Sequence, residues 1–146
     1  MRHKPLRDQV IVITGASSGI GLTTARMAAR RGARVVLAAR STSVLARVVS
    51  EIEAEGGHAI AVTADVGRLD DVQAIADEAR ASFGGFDTWV NVAGLTVYGP
   101  LSAIDYADHE RLIQTNLWGT VNGSLVAIKH LRRHGGALIN VGSVAS

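Results

Sequence analysis

Short apolar runs alternate along the whole chain with stretches in which apolar residues recur every three or four positions. Val10-Ile11-Val12-Ile13 predicts a strand over residues 9–14, and the Ala-rich stretch behind it predicts a helix over residues 19–31. Residues 34–39 form a continuous apolar run, as suits a strand buried on both faces. Ser43 is placed to cap a helix reaching residue 55, and residues 58–63 predict a third strand. Val72, Ile75, Ala76, Ala79 and Phe83 share one face of a helix expected over residues 68–83. A short strand follows at residues 88–91, then a Gly/Pro loop at 94–100. One long helix is expected over 107–134, and a last strand over 137–141. Gly32, Gly56-Gly57 and Gly135-Gly136 stand where helices end.

Strands that alternate with helices define an α/β chain with helices on both faces of a parallel sheet. Right-handed crossovers then give a doubly wound, Rossmann-like sheet in the order 3-2-1-4-5. Residues 1–146 read as one nucleotide-binding unit. A sheet of this kind usually has a sixth strand, and without it residues 137–141 would form an uncovered apolar edge. The chain therefore reads as the N-terminal part of something longer, incomplete at its C-terminal end. A complete five-stranded flavodoxin-like domain is the alternative.

With 47% hydrophobic residues in 146, the chain can bury a substantial core. It contains no cysteine, which excludes disulfides, thiolate chemistry and Cys-ligated metals. The net charge is only +2, and the basic cluster Arg2, His3, Lys4 and Arg7 is a short tail without interleaved aromatics. Nucleic-acid binding is not expected. No apolar run approaches a membrane span of about 20 residues, so no membrane role and a cytoplasmic location are expected. His130 and His134 are one turn apart, but they sit in a basic helix end that their charge would complement, and no third ligand accompanies them. No metal site is expected.

The chemistry begins at Thr14-Gly15-Ala16-Ser17-Ser18-Gly19-Ile20-Gly21, between the first strand and the first helix. Such a turn brings backbone N–H groups and a helix N-terminus to a pyrophosphate. Gly15 takes the sharp turn, Gly19 leaves room for phosphates, and Gly21 permits close packing of helix on strand. The second strand ends in Ala39-Arg40-Ser41 with no acid that could select a free ribose 2′-hydroxyl. The Arg40 fork instead suits a 2′-phosphate, so NADP(H) is preferred over NAD(H). Asp65 follows the third strand. Gly67 is the better cap of the next helix, with Asp70 near its dipole, which frees the Asp65 carboxylate to accept from an adenine amino group. Asn91-Val92-Ala93-Gly94 closes the fourth strand with small residues that admit a ribose or nicotinamide. Asn116 shares a helix face with Ile113, Leu117 and Thr120, a polar amide on what reads as a core-facing stripe, and is expected to serve a hydrogen-bond network. Ser143 lies just beyond the last strand, on the ligand-binding edge of the sheet.

Taken together, these motifs resemble the short-chain dehydrogenase/reductase family. The resemblance rests on Thr14-Gly15-x-x-x-Gly19-Ile20-Gly21, Asp65-Val66, Asn91-x-Ala93-Gly94, Asn116 and Gly142-Ser143, in order over essentially the whole chain. It departs from the family at Val92, where a second Asn is usual. It implies NAD(P)-dependent hydride transfer between an alcohol and a carbonyl substrate. Ser17, Ser18 and Ile20 would line phosphates and nicotinamide, Ser143 would bond the substrate oxygen, and Asn116 would hold a water in a proton relay. The family's acid–base tyrosine stands about a dozen residues past that serine, with a lysine four further on, and neither position exists here. Tyr98, Tyr106 and Lys129 are on the wrong elements to replace them. The chain alone is thus expected to be inactive, with a homo-oligomeric parent joined through the long helix. A non-catalytic dinucleotide-binding module is the competing reading. An extended-type epimerase and a methyltransferase fit less well, because of the glycine spacing and the missing acid.

Overall fold

The computed structural model describes residues 4–143. Five strands, β1 (Val10–Thr14), β2 (Arg34–Ala39), β3 (His58–Thr63), β4 (Thr88–Asn91) and β5 (Ala137–Asn140), form one parallel sheet in the order β3-β2-β1-β4-β5. That is the expected architecture. Between them run α1 (Gly19–Arg30), α2 (Thr42–Ala54), α3 (Leu69–Phe83), α4 (Tyr106–Ile113) and α5 (Gly119–His134).

Strand alternation explains the layers. Ile11 and Ile13 of β1, with Val35 and Leu37 of β2, face Ala25, Ala28 and Ala29 of α1 and Leu45, Val48 and Ile52 of α2. Val10, Val12, Val36, Ala38 and Trp89 point the other way, onto α3 and α5. The central strands β1 and β2 are buried on both faces, so their sequences are apolar at nearly every position instead of alternating, with Thr14 and Arg34 only at their ends. The two edges differ. In β3 only Ala59 is fully buried, and Ile139 of β5 is 46% exposed.

The structure corrects several local expectations. α2 starts at Thr42 with Ser41 at the cap position, so Ser43 lies inside the first turn, and Thr42 Oγ1 instead meets Thr63 Oγ1 at 2.8 Å. α3 is preceded by Arg68, not capped by Gly67. The Gly67 N–H is held by Asp65 Oδ1 at 3.0 Å, and Asp71 Oδ2 accepts the Asp65 N–H at 2.9 Å. The expected long helix is three pieces: α4, a wide π turn at Gln114–Trp118, and α5. Of the basic tail, Arg2 and His3 lie outside the described residues, and Lys4 pairs with Asp87 at 2.6 Å.

His130 corrects the charge reading of the α5 end. Its ring stacks on Phe86 at 4.2 Å between centroids, and Nε2 accepts the Phe86 N–H at 3.3 Å. Burial, followed by the neighbouring His134, pushes its pKa down, so the neutral ring is the folded form. A histidine with a depressed folded pKa stabilises the fold above its unfolded value of about 6.5 and loses that contribution as pH falls through the folded value. Urea unfolding at about pH 7.5 and about pH 5.5 should therefore show a loss on acidification that is smaller in His130→Gln. Equal losses in both proteins would remove His130 as the cause.

Candidate active site

The strand order reverses between β1 and β4, so their carboxyl ends open a crevice where open α/β sheets bind ligands. Thr14, fully buried at the end of β1, ties the two strands together there. Its hydroxyl donates to Val90 O at 3.4 Å and accepts the N–H groups of Val92 and Ala93 at 3.2 and 3.3 Å. The Gly-rich motif by itself gives Thr14 no role; its position as the last residue of an otherwise apolar strand is the signal for one.

The Gly-rich turn has the geometry expected of it. Gly15 sits at φ +65°, and a Cβ there would lie 2.7 Å from Ala93 Cα, so the two crevice loops pack backbone to backbone. A Cβ on Gly21 would overlap the Gly15 carbonyl oxygen, which lets α1 start directly under the turn. Gly19 is also left-handed, at φ +51°, and its Cβ position is open space. Ser18 occupies the α1 cap but makes no side-chain cap bond, and the first turn holds no acid. The Ser18 side chain thus leaves the first-turn N–H groups uncapped, next to open space at Gly19, as an anion requires. Ile20 presents a 64% exposed apolar side chain beside them. Arg40, at the end of β2, is exposed and joins no ion pair among the described residues.

Asp65 is not free. Besides holding Gly67, its Oδ2 meets Arg111 Nη2 of α4 at 3.3 Å. Val66 is buried against the start of α5, where a Cβ on Gly119 would come within 2.6 Å of Val66 Cγ2. Asn122 Nδ2 donates to Val66 O at 3.0 Å.

Asn116 does serve a hydrogen-bond network, but not on a core stripe. It is exposed, as are Ile113 and Leu117, while Thr115 and Gly119 are the buried neighbours. The buried face is the neighbouring one: Ile113 is exposed before the π turn begins, and the buried residues Thr115, Gly119, Asn122 and Val126 recur at helical spacing. Asn116 Oδ1 accepts the Leu95 N–H and Nδ2 donates to Leu95 O, both at 2.9 Å. A Cβ on Gly94 would stand 3.4 Å from Asn116 Oδ1, so this glycine lets the amide reach the loop.

The Asn91 side chain faces inward. Oδ1 accepts the Trp89 indole N–H at 2.8 Å, and Nδ2 reaches Asn140 Oδ1 at 2.9 Å and Ser124 Oγ at 3.3 Å. The backbone of Val92 and Ala93, not this amide, lies opposite Gly15, and Gly94 faces Asn116. Ser143 lies three residues past β5 and is exposed. Tyr98 and Tyr106 are 91% and 77% exposed, away from any core contact. Among the described residues no cluster of His, Cys, Asp and Glu could hold a metal, and no helix is long and apolar enough to cross a membrane.

A doubly wound sheet with a glycine cradle at its switch point is the architecture of a dinucleotide-binding fold. The chain belongs to the short-chain dehydrogenase family, whose family model matches residues 9–146. It is 51% identical over 146 residues to the uncharacterized oxidoreductase YxnA of Bacillus subtilis (strain 168), covering 99% of this chain and 41% of that one. With 3beta-hydroxysteroid dehydrogenase 1 of Eggerthella lenta it shares 41% identity over 145 residues, covering 97% of this chain and 56% of the relative. Its fold matches the crystal structure of L-sorbose reductase from Gluconobacter frateurii, complexed with NADPH and L-sorbose, with a TM-score of 0.85 at 31% identity, covering 93% of this chain and 52% of that one. The chain thus spans about half the length of the relatives it matches.

Proposed function

We propose that the chain is the cofactor-binding part of an NADP(H)-dependent short-chain reductase that interconverts an alcohol and a carbonyl compound. The observation that carries this reading is the cradle: two left-handed glycines, a third buried under the first, and a helix start that the Ser18 side chain leaves uncapped. It fits a dinucleotide diphosphate, and L-sorbose reductase, a structural neighbour, is complexed with NADPH.

In this reading Gly15, Ser17, Ser18, Gly19 and Gly21 hold the diphosphate, and Ile20 covers one face of the nicotinamide ring. Asp65 and Val66 border the adenine, while Asn91, Ala93 and Gly94 form the wall opposite the turn. Bound there, the coenzyme supplies or accepts a hydride. Ser143 orients the substrate oxygen by a hydrogen bond and stabilises charge that develops on it. The side chain of Asn116 is engaged with Leu95, so in this reading a relay water is held at its main-chain carbonyl, which accepts Thr120 Oγ1 at 2.9 Å. A cytoplasmic, homo-oligomeric whole protein, and no turnover by these 146 residues alone, belong to the same reading.

Arg40 supplies the preference for NADP(H). A charge-assisted bond to the 2′-phosphate contributes about 1.5–3 kcal/mol, so Arg40→Ala should weaken NADPH binding roughly tenfold to a hundredfold and leave NADH nearly unchanged. Titration of NADPH fluorescence checks this. Equal NADPH affinity in both proteins would remove Arg40 from the phosphate site, and no binding by the wild type would sink the whole reading.

A further inference from the structure

The loop after β3 and the loop after β4 are both held by one continuous helical rod, residues 106–134. On the first loop, Arg111 takes Asp65 Oδ2 at 3.3 Å and Gln114 Nε2 donates to Gly67 O at 2.5 Å, with Asn122 on Val66 O behind them. On the second, Asn116 grips both polar atoms of the Leu95 backbone. Gln114 and Asn116, two positions apart, point to different sides of the rod and so serve different loops.

The Asp65 carboxylate accepts the Gly67 N–H on Oδ1 and forms an ion pair with Arg111 on Oδ2; a carboxylate has about four lone-pair sites, so acceptor positions remain for a ligand. Without Arg111 the side chain would keep only its local bond to Gly67 and could rotate about it. The pair is partly exposed, with side chains 42% and 28% accessible, so its direct contribution to stability is small and its effect is directional.

We propose that Arg111 is a positioning residue of the coenzyme site, aiming the Asp65 carboxylate at the exocyclic amino group of the adenine. This rests on the NADP(H) reading above. Arg111 sets base discrimination without touching the coenzyme, and loosening it also relaxes the rod that holds Leu95.

The test compares NADPH with its hypoxanthine analogue, which carries a carbonyl in place of the 6-amino group. The wild-type chain should favour NADPH by about tenfold, and Arg111→Ala should reduce that ratio to about twofold or less, mainly by weakening NADPH. A residue that merely supported the fold would weaken both ligands equally and leave the ratio intact. Arg111→Lys keeps the charge but not the fork, and should give an intermediate ratio; it carries the test if the alanine variant does not fold. Amide exchange in the free protein should rise at Gly67 and Leu95 in Arg111→Ala. An unchanged ratio in a variant that binds NADPH would overturn the role of Arg111 alone. A wild-type chain that binds neither coenzyme would overturn the NADP(H) reading, and this inference with it.

Discussion

Gly21→Ala should cost the chain about 3 kcal/mol of stability and weaken NADPH binding by about a hundredfold or more. The added methyl would overlap the Gly15 carbonyl oxygen and come within 2.8 Å of the Gly15 carbonyl carbon, with Ala16 Cα at 3.3 Å. All three are backbone atoms, so no rotamer change relieves the clash. Either α1 withdraws from the end of β1 or the turn deforms, and both move the N–H groups that face a diphosphate. Against a typical stability of about 5–15 kcal/mol, the loss leaves a folded but weakened protein. Gly19→Ala is the informative contrast. Its Cβ would meet nothing within 4 Å, and its φ of +51° costs an alanine only about 1–2 kcal/mol. That variant should melt nearer the wild type yet lose NADPH affinity, because the methyl stands in the open space over the cradle. Thermal melts paired with fluorescence titrations separate the two effects. Wild-type melting and wild-type affinity in Gly21→Ala would mean that the close approach of helix and turn is not needed.

The strands are legible because burial on both faces makes the central ones β1 and β2 almost wholly apolar between their ends. The bounds of β2, β3 and β4 follow directly from their apolar runs. The glycine turn was legible for a related reason. A left-handed φ and a missing Cβ are requirements of the backbone, and only one residue type meets them cheaply. Side-chain direction was a different matter. The direction of Asn116 is not legible from periodicity, because Ile113, Leu117 and Trp118 are apolar yet exposed, and the buried face runs through Thr115 and Gly119. The Asp65 contact is hidden because its partner, Arg111, lies on another element far along the chain. The His130 environment is hidden because nothing in the sequence places Phe86 against its ring. In each case what the side chain meets depends on packing between distant segments.

The second large effect should come from Asn91, through stability. Asn91→Leu, close to isosteric, is expected to cost about 2–4 kcal/mol, since it leaves a fully buried polar group without its partner at about 1–3 kcal/mol and disturbs the packing around it. That group is the Trp89 indole N–H, in a residue with no solvent exposure; Asn140 Oδ1 also loses a donor, but it is on an exposed residue that water and Ser124 Oγ can serve. An indole can only donate, so Trp89 fixes the Asn91 oxygen on its side and turns the amide N–H groups toward β5 and α5. The neighbouring Gly123 confirms how tightly the amide is enclosed, since a Cβ there would overlap Asn91 Oδ1. One consequence separates hydrogen bonding from packing. Trp89→Phe removes the indole donor while retaining an aromatic ring near Phe86, whose centroid lies 5.3 Å from that of Trp89. In the Asn91→Leu background this second change should be less harmful than in the wild type, because the donor it removes is already orphaned. Denaturant unfolding of the two single variants and the double variant should therefore give a favourable coupling of about 1 kcal/mol or more. Strict additivity would show that Trp89 and Asn91 do not depend on each other, and that the inner face of β4 is held by apolar contact alone.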